Sequence, residues 1–99
     1  MTTTVPALDD LTTQVRATLG PLLGDALTAV ADDDDLARAL GDRYDSLTAL
    51  ECVSRIEAAF DVEVDFVAHD VRYVFATVGR IASFVRDLIE DRTALEASS

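Results

Sequence analysis

Apolar residues in the middle of the chain recur with the period of a helix. Ala49, Cys52, Val53, Ile56, Ala59 and Phe60 fall at i, i+3, i+4, i+7, i+10 and i+11, which predicts a helix from about Ser46 to Phe60 with one face turned to a core. Leu47, Glu51, Ser54, Arg55 and Ala58 lie opposite and should face solvent. Leu47 is the odd member, a large apolar side chain on the polar side. Val78, Ile81, Ala82, Val85, Leu88 and Ile89 repeat the same spacing after Thr77, which has the right chemistry for an N-cap. Near the start, Leu8, Leu11, Val15, Leu19 and Leu22 give helical spacing after Pro6, with Asp9 and Asp10 in the first turn. Gly20-Pro21 reads as the stop, so the first helix is expected over about Ala7 to Leu19.

Between these periodic stretches the pattern thins. Residues Gly24 to Asp45 form a long connection anchored by Leu27, Val30, Leu36 and Leu40, with a helical turn expected near Leu36 to Leu40. Asp61-Val62-Glu63-Val64-Asp65 alternates like a strand but has no partner strand, so it is an extended connector with Val62 and Val64 turned inward. A short helix is expected within Phe66 to Tyr73, and Thr93 to Ser99 has little to pack. The sum is an all-α chain: a small four-helix bundle of three main helices and one short third helix, with a long first loop. Its 99 residues make a single domain, ordered over about residues 7–91 with frayed termini.

Charge narrows the function classes. A net charge of −11 repels nucleic acid and anionic membranes and favours basic partners. No apolar run reaches membrane-span length and Met1-Thr2-Thr3-Thr4 lacks the order of a signal peptide, so a cytoplasmic location is expected. A single cysteine, Cys52, rules out an internal disulfide and falls on the buried face of the central helix. Asp32-Asp33-Asp34-Asp35 invites a calcium reading, but Leu36 and Ala37 occupy the fifth and sixth places of the loop counted from Asp32, so no metal site is expected. His69 beside Asp70 has no nucleophile elbow to serve and reads as a surface or partner contact. No glycine-rich phosphate loop or paired catalytic carboxylates are evident, so no enzyme activity is expected.

Ser46 is where chemistry concentrates. A serine or aspartate at a helix start caps free N–H groups. The same helix end, with its partial positive charge, also suits an exposed serine that bears a phosphate-linked prosthetic group. Asp45-Ser46-Leu47, Glu51 and Ile56-Glu57-Ala58-Ala59-Phe60 resemble the second-helix pattern of the acyl carrier protein family. The lead-in Asp35-Leu36-Ala37-Arg38-Ala39-Leu40-Gly41 and the entry Phe75-Ala76-Thr77-Val78-Gly79-Arg80-Ile81-Ala82 are similar to that family as well, so the resemblance runs from about Ala7 to Glu90. Two departures stand out. Gly41 lies five residues before the serine, where the family pattern has its glycine three before. Thr48 stands where many fatty-acid carriers have an acidic residue, and Arg55 interrupts the acidic outer face.

The resemblance implies that Ser46 carries a covalent 4′-phosphopantetheine arm whose thiol holds acyl groups as thioesters. It implies that Asp45 orients the helix start and engages a phosphopantetheinyl transferase, and that Leu47, Glu51, Arg55 and Glu57 face partners. Those partners would be the transferase, an acyl-loading enzyme (an acyltransferase or adenylating ligase), and synthase or tailoring enzymes served by a free-standing monomer. Aspartate before the serine, with the longer loop and mixed outer face, points to polyketide or mixed polyketide–peptide biosynthesis. An aminoacyl or peptidyl carrier, a fatty-acid-synthesis carrier, and a non-catalytic helical interaction module with Ser46 as a mere cap are the alternatives.

Overall fold

The computed structural model describes residues 7–65 and 70–98. Five α-helices follow in order: α1 Leu8–Leu23, α2 Leu36–Leu40, α3 Ser46–Phe60, α4 Val71–Val74 and α5 Val78–Ser98. No strand occurs among the described residues. Helices α1, α3 and α5 make the bundle, with α1 packed on both others and α4 against α5. The core is the meeting of their apolar stripes: Leu11, Val15 and Leu19 from α1, Cys52, Val53 and Ile56 from α3, and Val78, Ile81, Ala82 and Val85 from α5. Leu27, Val30, Leu36 and Leu40 of the long connection are buried with them. Val62 and Val64 turn inward on their extended segment. Pro6, Phe66 and His69 fall outside the described residues.

Two expectations need correction. Helix α1 passes through Pro21 and ends at Leu23, not Leu19. Proline mainly crowds the Cβ and N–H of the residue before it. Here that residue is Gly20, which has no Cβ, so the helix continues for the burial of Leu23. The real stop is Gly24, whose φ of 74° only glycine adopts easily and whose N–H donates to the Gly20 carbonyl. On α3, Ala59 is exposed rather than inward. Helix α5 runs to Ser98.

The long connection is a chain of short turns. Gly24–Ala29 and Gly41–Tyr44 are 3₁₀ turns on either side of α2. Each aspartate of the acidic run whose contacts are resolved has a local task. Asp34 accepts from the Ala31 N–H at 2.9 Å, and Asp35 caps α2 by accepting from the Ala37 N–H at 3.0 Å. Asp32 meets Arg16 of α1, whose guanidinium also donates to the Leu27 and Val30 carbonyls at 3.1 and 2.6 Å. One arginine therefore staples the connection to α1. Arg16→Met keeps the apolar stem and removes the donors, leaving two partly buried carbonyls without them. It should cost about 2 kcal/mol, read as a lower urea midpoint at unchanged m-value.

The other side of the connection is fastened to the junction between α4 and α5. The Leu36 N–H donates to the Ala76 carbonyl and the Gly79 N–H to the Asp32 carbonyl, each at 2.8 Å. Gly79 permits this approach, because a Cβ there would sit 3.1 Å from the Asp32 carbonyl oxygen. Thr77 caps α5, its Oγ1 accepting from the Arg80 N–H at 3.0 Å. The path of the chain into Ser46 is thus set by contacts far away in sequence.

Candidate functional site

Asp45 begins the site. Its backbone is extended, and its carboxylate accepts from the Thr48 N–H at 2.8 Å, so Asp45 is the N-cap of α3. This bond holds its carboxyl below the usual carboxylate range. Ser46, at the predicted start of the helix, is its first residue, and of the two candidate caps it is Asp45 that caps. The difference matters chemically. A capping serine spends its oxygen on a backbone N–H, whereas Ser46 is exposed and its hydroxyl has no hydrogen-bond partner among the described residues. Two features therefore fit a phosphate-linked group on Ser46: an available oxygen, and the positive end of a 15-residue helix.

The outer face of α3 continues from there. Leu47 is 66% exposed and Leu50, one turn on, is 47% exposed. Leu50 escaped the periodicity argument because it belongs cleanly to neither face. Glu51 and Arg55 are exposed beside them but form no ion pair with each other among the described residues, contrary to what their i, i+4 spacing invites. An exposed pair of this kind gains only a few tenths of a kcal/mol, little enough to be lost to side-chain freedom. Glu57 is different. It is half-buried, and its Oε2 accepts from the Val64 N–H at 3.0 Å, which pins the extended connector after α3. Its carboxylate has a structural task whatever else it meets.

Tyr44 is a site residue that the sequence reading missed. Its hydroxyl donates to the Phe75 carbonyl at 2.6 Å, and its ring packs half-buried against the core. Burial, reinforced by the nearby Cys52 and Asp35, raises its phenol above the ordinary value. An acid held protonated in the fold keeps its proton better than the unfolded chain does. Stability is therefore full below pH 10.0, the ordinary phenol value, and falls as pH rises beyond it. Urea midpoints across that range should drop for the wild type and drop less for Tyr44→Phe.

A groove of about 420 Å³ opens beside Ser46, with Tyr44, Ala49, Val71, Phe75 and Ala76 among its walls. Cys52 lies buried on the inner face of α3, and burial pushes its thiol up to about 11, which leaves it unreactive at neutral pH. Asp70, the neighbour of His69, caps α4 by accepting from the Arg72 N–H at 3.0 Å. Among the described residues no group of three or more His, Cys, Asp or Glu could hold a metal ion, and no helix is long and apolar enough to cross a membrane.

Comparison with curated proteins and with solved structures gives no match. The family model described as the phosphopantetheine attachment site matches residues 13–85, a span that takes in α2, α3, α4, the core of α5 and most of α1. A helical bundle with an exposed serine at the head of its central helix is what such a carrier requires, and with that match over most of its length the chain belongs to the phosphopantetheine attachment-site family, as a non-catalytic carrier domain of the acyl carrier protein type.

Proposed function

We propose that Ser46 is the attachment serine, and that the chain is a monomeric, cytoplasmic acyl carrier for polyketide or mixed polyketide–peptide biosynthesis. The observation that carries the attachment is the division of labour at the head of α3: Asp45 caps, and the Ser46 hydroxyl is left available. In loading, a phosphopantetheinyl transferase presents coenzyme A. Ser46 Oγ attacks the phosphorus next to the pantetheine, its proton departs, and adenosine 3′,5′-bisphosphate leaves. The arm then supplies a thiol that holds an acyl group within reach of docked partners. The chain's own contribution is to hold Ser46 rigidly at a helix end and to present a face on which partners dock.

That face is Leu47 and Leu50, with Glu51 and Arg55 beside them, and Glu57 shapes its far end by holding the connector. An apolar centre rimmed by charge is the arrangement that concentrates binding energy. The net charge of −11 draws basic partner surfaces and makes encounter salt-dependent. Leu47→Ala should slow acyl transfer to a partner about tenfold or more, the loss of a typical interface anchor, while the urea midpoint stays near wild type. Equal loss of both would make Leu47 a packing residue.

The attachment is tested by intact mass before and after incubation with coenzyme A, magnesium and a broad-specificity transferase. A gain of one phosphopantetheine is expected, and a folded, initially unmodified protein that gains none would overturn the reading. The pathway rests on Asp45, the longer approach to Ser46 and the mixed outer face. Efficient turnover of the loaded protein by fatty-acid elongation enzymes would overturn it.

A further inference from the structure

The groove beside Ser46 ends at a side chain that nothing in a carrier's chemistry calls for. Phe75 is part of its lining, 1% exposed and set edge-on to Phe84 with ring centroids 6.3 Å apart. Cys52 and Ile56, on the inner face of α3, are both fully buried and belong to the same core cluster as Phe75. A chain hanging from Ser46 and seeking the core would have to pass between α3 and the α4–α5 junction. Tyr44 bridges that gap. It arrives on the 3₁₀ turn Gly41–Tyr44, lays its ring against the core, and donates its hydroxyl across 31 residues of sequence to the Phe75 carbonyl. The turn is anchored at its start by Gly41, in a positive-φ conformation of 58°, so the ring is delivered from a fixed base.

We propose that Tyr44 is a specificity-determining gate, which closes the groove beside Ser46 off from the core so that acyl cargo of every length stays outside the core and exposed. This rests on the reading of Ser46 as the attachment serine. Displacing the ring would break the bond to Phe75 and strip aromatic surface from the core, while the core behind it is already filled by fully buried side chains. Removing the ring alters both sides of that balance. It opens the route and leaves a void that an alkyl chain can fill, and burying two methylenes is enough to shift the sheltered population by roughly tenfold. Tyr44→Phe keeps the ring and loses only the hydroxyl bond, so it should fall between wild type and Tyr44→Ala.

The test loads butanoyl, octanoyl and dodecanoyl groups on the wild type, Tyr44→Phe and Tyr44→Ala, and measures thioester cleavage by hydroxylamine. Wild type should release all three at rates within about twofold, because every chain stays exposed, whereas Tyr44→Ala should release dodecanoyl roughly tenfold more slowly than butanoyl. In parallel, the unloaded proteins are titrated with decanol, a neutral probe insensitive to the charge of the chain, while methyl NMR follows Ile56, Ile81 and Val85. These core methyls should shift in Tyr44→Ala and stay still in wild type. Length-dependent protection or decanol-induced shifts in the wild type would overturn the proposal. So would a folded Tyr44→Ala protein that shows neither. If Ser46 takes up no arm, the attachment reading fails, and the decanol titration still decides the role of Tyr44.

Discussion

Ser46→Ala is expected to fold like the wild type and to take up no phosphopantetheine at all. The two halves of this expectation have separate causes. Loading needs an oxygen nucleophile at the head of α3, and alanine has none, so the loss is complete. The fold should not notice, because Ser46 is exposed and the capping bond belongs to Asp45, which keeps its contact with the Thr48 N–H. Alanine is also a strong helix former, so the start of α3 loses nothing intrinsic. Circular dichroism and intact mass on one sample check both halves. A variant that still gains mass would move the site elsewhere, and one that loses stability would return Ser46 to the cap. Asp45→Asn completes the comparison. Asparagine caps as well as aspartate, so slower loading without loss of helicity would show that the transferase reads the carboxylate itself.

The second large effect is on stability. Phe75 is 1% exposed, stacks edge-on with Phe84, and offers the carbonyl that receives the Tyr44 hydroxyl. Phe75→Ala removes a full aromatic side chain from a small core and should cost about 3–5 kcal/mol. A domain of this size has roughly 5–15 kcal/mol in total, so the melting temperature should fall by about 12–40 °C, at about 4–8 °C per kcal/mol. Because Phe75 lines the groove beside Ser46, the loading rate should fall with stability at moderate temperature. Phe75→Leu, which keeps most of the volume, should recover much of both. A Phe75→Ala protein with near-wild-type melting would mean that the α4–α5 junction does not hold the site in place.

What could be read from the chain follows from how local each cause is. Helix α3 was legible to the residue, because its apolar period, its start and its end are all written within fifteen residues. The inward turn of Val62 and Val64, the turn at Leu36 and the Thr77 cap were equally local. Pro21 misled because the usual rule holds for residues with a Cβ, and Gly20 has none. Which of Asp45 and Ser46 does the capping stayed open, because either side chain satisfies the same pattern at a helix end. Tyr44 and Arg16 were out of reach for another reason. Their acceptors are backbone carbonyls, at Phe75 and at Leu27 and Val30, which no residue type announces. An aromatic set in the polar run Gly41-Asp42-Arg43 was the only sign that the approach loop is fastened down.

One covalent bond makes this chain a carrier, and the most direct measurement is to locate it. Trypsin cuts the loaded wild-type protein after Arg43 and Arg55, releasing the peptide Tyr44 to Arg55, in which Ser46, Thr48 and Ser54 carry the aliphatic hydroxyls. Tandem mass spectrometry of that peptide should place the phosphopantetheine on Ser46. A modification on Thr48, Ser54 or any peptide outside this stretch would contradict the account.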